Sequence, residues 1–129
     1  MTTLANGTYL GDCLVHCDET VTVSPSKLTY SLTSKLEDAR SPDIRVESAP
    51  PPGLWERLER TLDPAAISGL PERIGLPDAD DSGGEFLEVS RDGETKRVDF
   101  PRDADVAEVA ELLRALRELR ARLAGEHRP

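Results

Sequence analysis

Between Thr20 and Leu32 apolar residues alternate with hydroxyl residues. Thr20-Val21-Thr22-Val23 and Leu28-Thr29-Tyr30-Ser31-Leu32 follow the period of two that turns one strand face to a core and the other to water. Ser24-Pro25-Ser26-Lys27 separates them as a turn, its proline supplying a fixed φ. The pattern predicts a hairpin with Val21, Val23, Leu28, Tyr30 and Leu32 directed inward. A further strand is expected earlier, around Thr8 to Val15, and a short edge strand at Ile44 and Val46. Glu85 to Phe100 reads as a second hairpin, because Asp92-Gly93 is the dipeptide of a type I′ turn. Counting outward from that turn pairs Glu88 with Arg97, Ser90 with Thr95, Leu87 with Val98 and Val89 with Lys96. Polar pairs then share one face and aliphatic residues the other. Phe86 falls on the polar face, so either it is covered there or the register is a different one.

Helical spacing takes over elsewhere. Leu54, Trp55, Leu58 and Leu62 predict an amphipathic helix over 53–62. Asp63-Pro64 is an N-cap followed by proline in the first helical position, which starts a short second helix ending at Gly69-Leu70-Pro71. The last helix is expected from about Val106 to Ala124, capped by Asp105 with Glu108 as capping-box partner and stopped by Gly125. Val106, Val109, Leu113, Leu116 and Leu123 form its seam, widened by Leu112 and Leu119. Ala49-Pro50-Pro51-Pro52-Gly53 can join neither a helix interior nor a central strand and is a stiff connector. A proline-rich ligand for an SH3-type domain is the subordinate reading of the same stretch. The expected fold class is α+β, an antiparallel sheet of four to five strands (two hairpins) with helices packed on one face. At 129 residues the chain fits a single domain, 1–129, with a frayed tail over 125–129.

Charge narrows the partners. Sixteen Lys and Arg against 25 Asp and Glu leave a net charge of −9. No basic footprint for nucleic-acid phosphates exists, and anionic membrane surfaces are disfavoured for the same reason. Residues 51–101 carry twelve acidic and six basic groups. An acidic face there would suit a basic protein; plain solubility is the alternative explanation of the same charge. No apolar run approaches the ~20 residues of a membrane span. Met1 to Leu10 has neither a basic n-region nor an apolar h-region. A cytoplasmic protein is therefore expected.

Soft ligands gather once, at Cys13-Leu14-Val15-His16-Cys17. Two thiolates and an imidazole could share Zn²⁺, or the cysteines could form a redox disulfide. In a straight strand, positions four apart lie ~13 Å from each other, beyond either chemistry. Structural thiols are the expectation unless the chain bends at Leu14-Val15-His16. Asp78-Ala79-Asp80-Asp81-Ser82-Gly83 matches the first half of an EF-hand loop, with Asp78, Asp80 and Ser82 as calcium ligands. Val89 stands where the bidentate glutamate belongs, so a solvated turn explains the stretch better. No nucleophile elbow, P-loop, Rossmann glycine pattern or H-E-x-x-H helix occurs. No catalytic residue and no cofactor is expected.

Gly11-Asp12-Cys13-Leu14-Val15-His16-Cys17 and Gly75-Leu76-Pro77-Asp78-Ala79-Asp80-Asp81-Ser82-Gly83-Gly84-Glu85-Phe86 together resemble an uncharacterised group of small bacterial proteins, many of them lipoproteins. That group carries G-x-C-x-x-x-C early and a segment close to G-C-P-D-C-A-D-G-G-A-E-W later. The resemblance spans most of the chain and implies an α+β fold without an assigned activity. Leu76 and Ala79 stand where the group has its second cysteine pair, and no lipobox is present. A four-cysteine site is therefore lost, and the later segment becomes a turn of fixed shape in preference to a calcium loop. The functional expectation is a non-enzymatic binding or accessory protein, inhibitor- or immunity-like, with a basic protein partner. The alternative is a thiol-dependent metal or redox protein using Cys13, His16 and Cys17. Self-association through the 106–123 helix is a third expectation.

Overall fold

The computed structural model describes residues 1–79 and 82–129. Six strands, β1 (Thr2–Tyr9), β2 (Asp18–Val23), β3 (Leu28–Thr33), β4 (Ile44–Ser48), β5 (Gly84–Arg91) and β6 (Glu94–Pro101), form one sheet. The helices are α1 (Leu54–Thr61), α2 (Pro64–Ser68) and α3 (Ala110–His127). The fold is α+β, with one or two strands more than the pattern predicts. Every pairing is antiparallel, in the order β4-β3-β2-β1-β5-β6.

The strand that joins the two hairpins lies earlier in the chain than expected. β1 lies between β2 and β5, and it occupies Thr2–Tyr9 instead of Thr8–Val15. Its inward positions are Leu4, Asn6 and Thr8, which pair with Val23, Val21 and Glu19 on one side and Val89, Leu87 and Glu85 on the other. Two of those three are polar, so β1 shows no apolar alternation. After Tyr9 the chain leaves the sheet and turns back, with His16 at a φ of 50°.

The second hairpin takes the expected register, and the first pairs its expected inward residues with one another. Val21 opposes Tyr30 and Val23 opposes Leu28; Leu87 opposes Val98 and Ser90 opposes Thr95. Asp92 and Gly93 have φ of 51° and 83°, the double left-handed geometry of a type I′ turn. Phe86 does lie on the polar face, opposite Asp99, and is covered there. Gly7 leaves room for its ring across the β1–β5 pair, and the Arg97 guanidinium stacks 3.9 Å above the ring centroid.

The core joins the β1–β3 and β5–β6 aliphatics to Leu54, Trp55, Leu58, Ile67 and the α3 leucines. α3 lies against β1, β2 and β3. The Asp63 carboxylate caps α2, accepting from the Ala66 N–H at 3.2 Å. The start of α3 departs from expectation: a 3₁₀ turn at Ala107–Val109 precedes it, and no side-chain cap forms at Val106 or Val109. Its end departs too. α3 passes through Gly125 to His127, whose ring packs 5.9 Å from Tyr30, while Arg128 reaches Glu19 at 3.1 Å. Those tertiary contacts override the weak helix preference of one glycine. Among the described residues no helix is long and apolar enough to cross a membrane.

Candidate functional site

The register sets Tyr9, Asp18, Thr33, Ile44 and Gly84 at one end of the sheet. Gly84 also pairs with Pro101, the last residue of β6, so the segment from Arg102 leaves there as well, beside residues 10–17, residues 34–43 and the stretch 75–83 that enters β5. Residues 10–17, 34–43 and 75–83 hold sequence motifs or charge runs, and they are tied together. The Lys35 ammonium donates to the Leu10 and Gly11 carbonyls at 2.9 and 2.6 Å. The Leu14 carbonyl accepts from the Lys35 and Leu36 N–H groups, both at 2.9 Å. The Gly11 N–H donates to Asp78 at 2.7 Å, and the Gly83 N–H donates to the other oxygen of the same carboxylate at 2.9 Å.

Cys13 and Cys17 are bonded to each other, their Cα atoms 5.7 Å apart. The expected free thiols are replaced by a disulfide because the chain bends where the strand was expected to continue. His16 does not accompany them: its N–H donates to the Ser34 hydroxyl at 2.7 Å and its Nε2 lies 3.2 Å from the Pro42 carbonyl. Asp78 adopts a φ of 58° and spends both oxygens on backbone amides. Asp80 lies outside the described residues, and the Ser82 hydroxyl donates to the Ala79 carbonyl at 2.6 Å. Among the described residues no group of three His, Cys, Asp or Glu is placed to hold a metal ion.

A hollow of about 520 Å³ adjoins this end on the polar sheet face, walled by Tyr9, Asp18, Lys35, Phe86, Arg97 and Asp99 among others. Its polar groups serve one another. Asp99 accepts from the Tyr9 hydroxyl at 2.7 Å and from Arg97 Nε at 2.8 Å. Burial would raise the Asp99 carboxyl, but the Arg97 and Tyr9 hydrogen bonds hold it below the usual range. Burial, with Asp99 as its acceptor, pushes the Tyr9 hydroxyl up to about 12. Neither group is poised for proton transfer near neutrality.

The opposite face holds a second polar cluster that the sequence did not reveal. Glu85 is fully buried beneath α3. Arg117 grips it with two hydrogen bonds of 2.8 Å, Asn6 Nδ2 donates at 2.9 Å and the Asp103 N–H donates at 2.9 Å. Arg120 donates to Asn6 Oδ1 and lies 3.7 Å from Glu19, which accepts the Tyr30 hydroxyl at 2.7 Å. Burial raises the Glu85 carboxyl, yet the Arg117, Asn6 and Asp103 hydrogen bonds outweigh it and leave the group below the carboxylate range. One sequence signal existed: a lone Glu on the aliphatic face of a strand, with arginines on the helix meant to cover it. No protein-family model matches the chain, and no curated protein matches it in sequence.

Proposed function

We propose that this protein is a non-enzymatic binding or accessory module for a basic protein partner, in the manner of an inhibitor or immunity protein. One observation carries the reading. The redox-capable pair, Cys13 and Cys17, sits on a loop outside the walls of the neighbouring hollow, and that hollow's Tyr9, Arg97 and Asp99 are spent on each other. The chain keeps its charged chemistry for internal cohesion and presents a surplus of nine negative charges to solvent. We further infer that the helices cover the sheet face bearing Glu85 and leave the partly exposed Thr20, Thr22 and Ser31 face without a helix. Binding to a basic partner should weaken steeply as salt rises; binding that salt does not touch would refute the reading.

The disulfide itself favours a second reading, a thiol redox or metal-binding protein using Cys13, His16 and Cys17. Metal analysis and thiol titration of reduced, untagged protein test it: stoichiometric metal supports it, and two free thiols without metal remove it. The compartment follows the same bond, which persists outside a reducing cytosol and opens to thiols within one. Self-association through α3 is the weaker expectation, because Leu112, Leu113, Leu116, Leu119 and Leu123 already belong to the core. A dimer in light scattering that dissociates on an exposed α3 substitution would restore it.

A further inference from the structure

Four large apolar residues stand out in solvent: Met1, Leu14, Leu36 and Leu76, exposed by 79, 62, 52 and 72%. Single exposed leucines are ordinary. Here three of the four occupy connections that meet at one end of the sheet, one in each of 10–17, 34–43 and 75–83, while Met1 precedes β1 at the other. The three are held on a braced frame. The Leu14 carbonyl takes the Leu36 N–H, and Asp78, two residues past Leu76, takes the Gly11 N–H. The Cys13–Cys17 bond closes the loop around Leu14.

The same stretches concentrate charge. The described residues of 10–17, 34–43, 75–79 and 82–83 include five acidic ones, Asp12, Glu37, Asp38, Asp43 and Asp78, and two basic ones, Lys35 and Arg40. Lys35 is engaged by the Leu10 and Gly11 carbonyls, and Arg40 lies 3.5 Å from Asp38. Arg102, whose N–H reaches the Gly83 carbonyl at 3.4 Å, borders the end as a further cation. The described residues of these stretches thus carry a net charge of −3 around three exposed leucines.

We propose that this loop end is the docking surface for the basic partner, with Leu14, Leu36 and Leu76 as apolar anchors inside an acidic rim; the inference rests on the binding-module reading above. A second copy of the chain, itself carrying a net charge of −9, is repelled by the same rim and fits less well as occupant. A basic protein with apolar sockets fits, because the rim would steer it and the leucines would lose water on contact. The disulfide and the inter-loop bonds fix the anchors beforehand, which lowers the ordering cost of binding.

The test uses a short peptide of alternating lysine and leucine, with lysine/serine and glutamate/leucine versions, added to the intact oxidised protein. Backbone amide NMR and fluorescence anisotropy are the readouts. Perturbed amides should cluster in residues 10–17 and 34–43 and beside Leu76. Replacing Leu14, Leu36 and Leu76 together by Ser leaves charge unchanged and should weaken binding by about tenfold or more, whereas Thr22→Arg on the sheet face without a helix should not weaken it. Equal binding of the lysine/serine peptide would overturn the anchoring role. Perturbations centred on Thr20, Thr22 and Thr29 would overturn the location and leave the binding-module reading intact. No binding of any lysine peptide at low salt would overturn both.

Discussion

Glu85 and Asp99 sit on neighbouring strands and carry the same chemistry on opposite faces of the sheet. Each is a carboxylate gripped through two nitrogens of an arginine, and each is held below its ordinary pKa against the pull of burial. Their surroundings differ. The Glu85 side chain is fully buried and its arginine comes from α3, thirty-two residues away. The Asp99 side chain is 24% exposed, and its arginine is two residues along the same strand. The first pair locks a helix onto a sheet and sits where water cannot substitute for a lost partner. The second closes a local lid over Phe86, where water can. Burial and sequence separation, rather than the ion pair, decide what each is worth.

The largest effect should come from removing the buried carboxylate. Glu85→Ala leaves Arg117 and Arg120 facing an empty, dry position and should cost about 3–5 kcal/mol, the usual penalty for breaking a buried pair from one side. Chemical denaturation measures it. Loss of less than about 1 kcal/mol would mean that water already reaches the site and that the contrast with Asp99 is false. Acid should act in the same direction. Glu85 titrates below its unfolded value of 4.5, so its contribution is complete above that pH and disappears as pH falls through the lower folded value.

Two changes of middle size probe the opposite face. A Cβ on Gly7 would stand 2.6 Å from the Phe86 ring and 2.7 Å from the Glu19 carbonyl oxygen. The backbone neighbour cannot yield as a flexible side chain can, so Gly7→Ala should cost about 1–3 kcal/mol. A thermal shift near zero would show that Phe86 is free to move. Opening the Cys13–Cys17 bond by double serine substitution should cost about 2 kcal/mol, since so short a loop restrains the unfolded chain little. Its main effect belongs to the loop, and amide exchange there should quicken while the sheet stays protected.

These differences mark the limit of what the sequence disclosed. Both hairpins, the register of the second, α1 and the capped α2 were legible because each follows from a local period, a turn dipeptide or a cap. β1 was not, since Asn6 and Thr8 replace apolar residues in its inward positions, and the Asn6 side chain is satisfied only by groups distant in sequence. The loop end was half legible: Cys13, Cys17 and Asp78 stood out as chemistry-bearing, yet their joining needed a bend that only tertiary contacts from Ser34, Lys35 and Gly83 supply. The Glu85 cluster draws on six separated segments, and no spacing rule reaches across them.

The smallest expected effect is the sharpest test of the comparison. Asp99→Asn keeps shape and an acceptor for Tyr9 while removing the charge that faces Arg97. Water can solvate what remains, so the loss should be about 1 kcal/mol, several times smaller than for Glu85→Ala. Added salt should shrink the difference between wild type and Asp99→Asn and leave the Glu85 penalty in place, because only the exposed pair is screened. The alkaline limb gives an independent reading. Tyr9 is raised from 10.0 to about 12, so the stability it confers is full below 10 and is lost as pH climbs through the folded value. In Asp99→Asn the hydroxyl no longer faces a carboxylate, and the absorbance titration of Tyr9 should move down toward 10. An unmoved titration would assign the shift to burial alone and make the Tyr9–Asp99 bond incidental to this face.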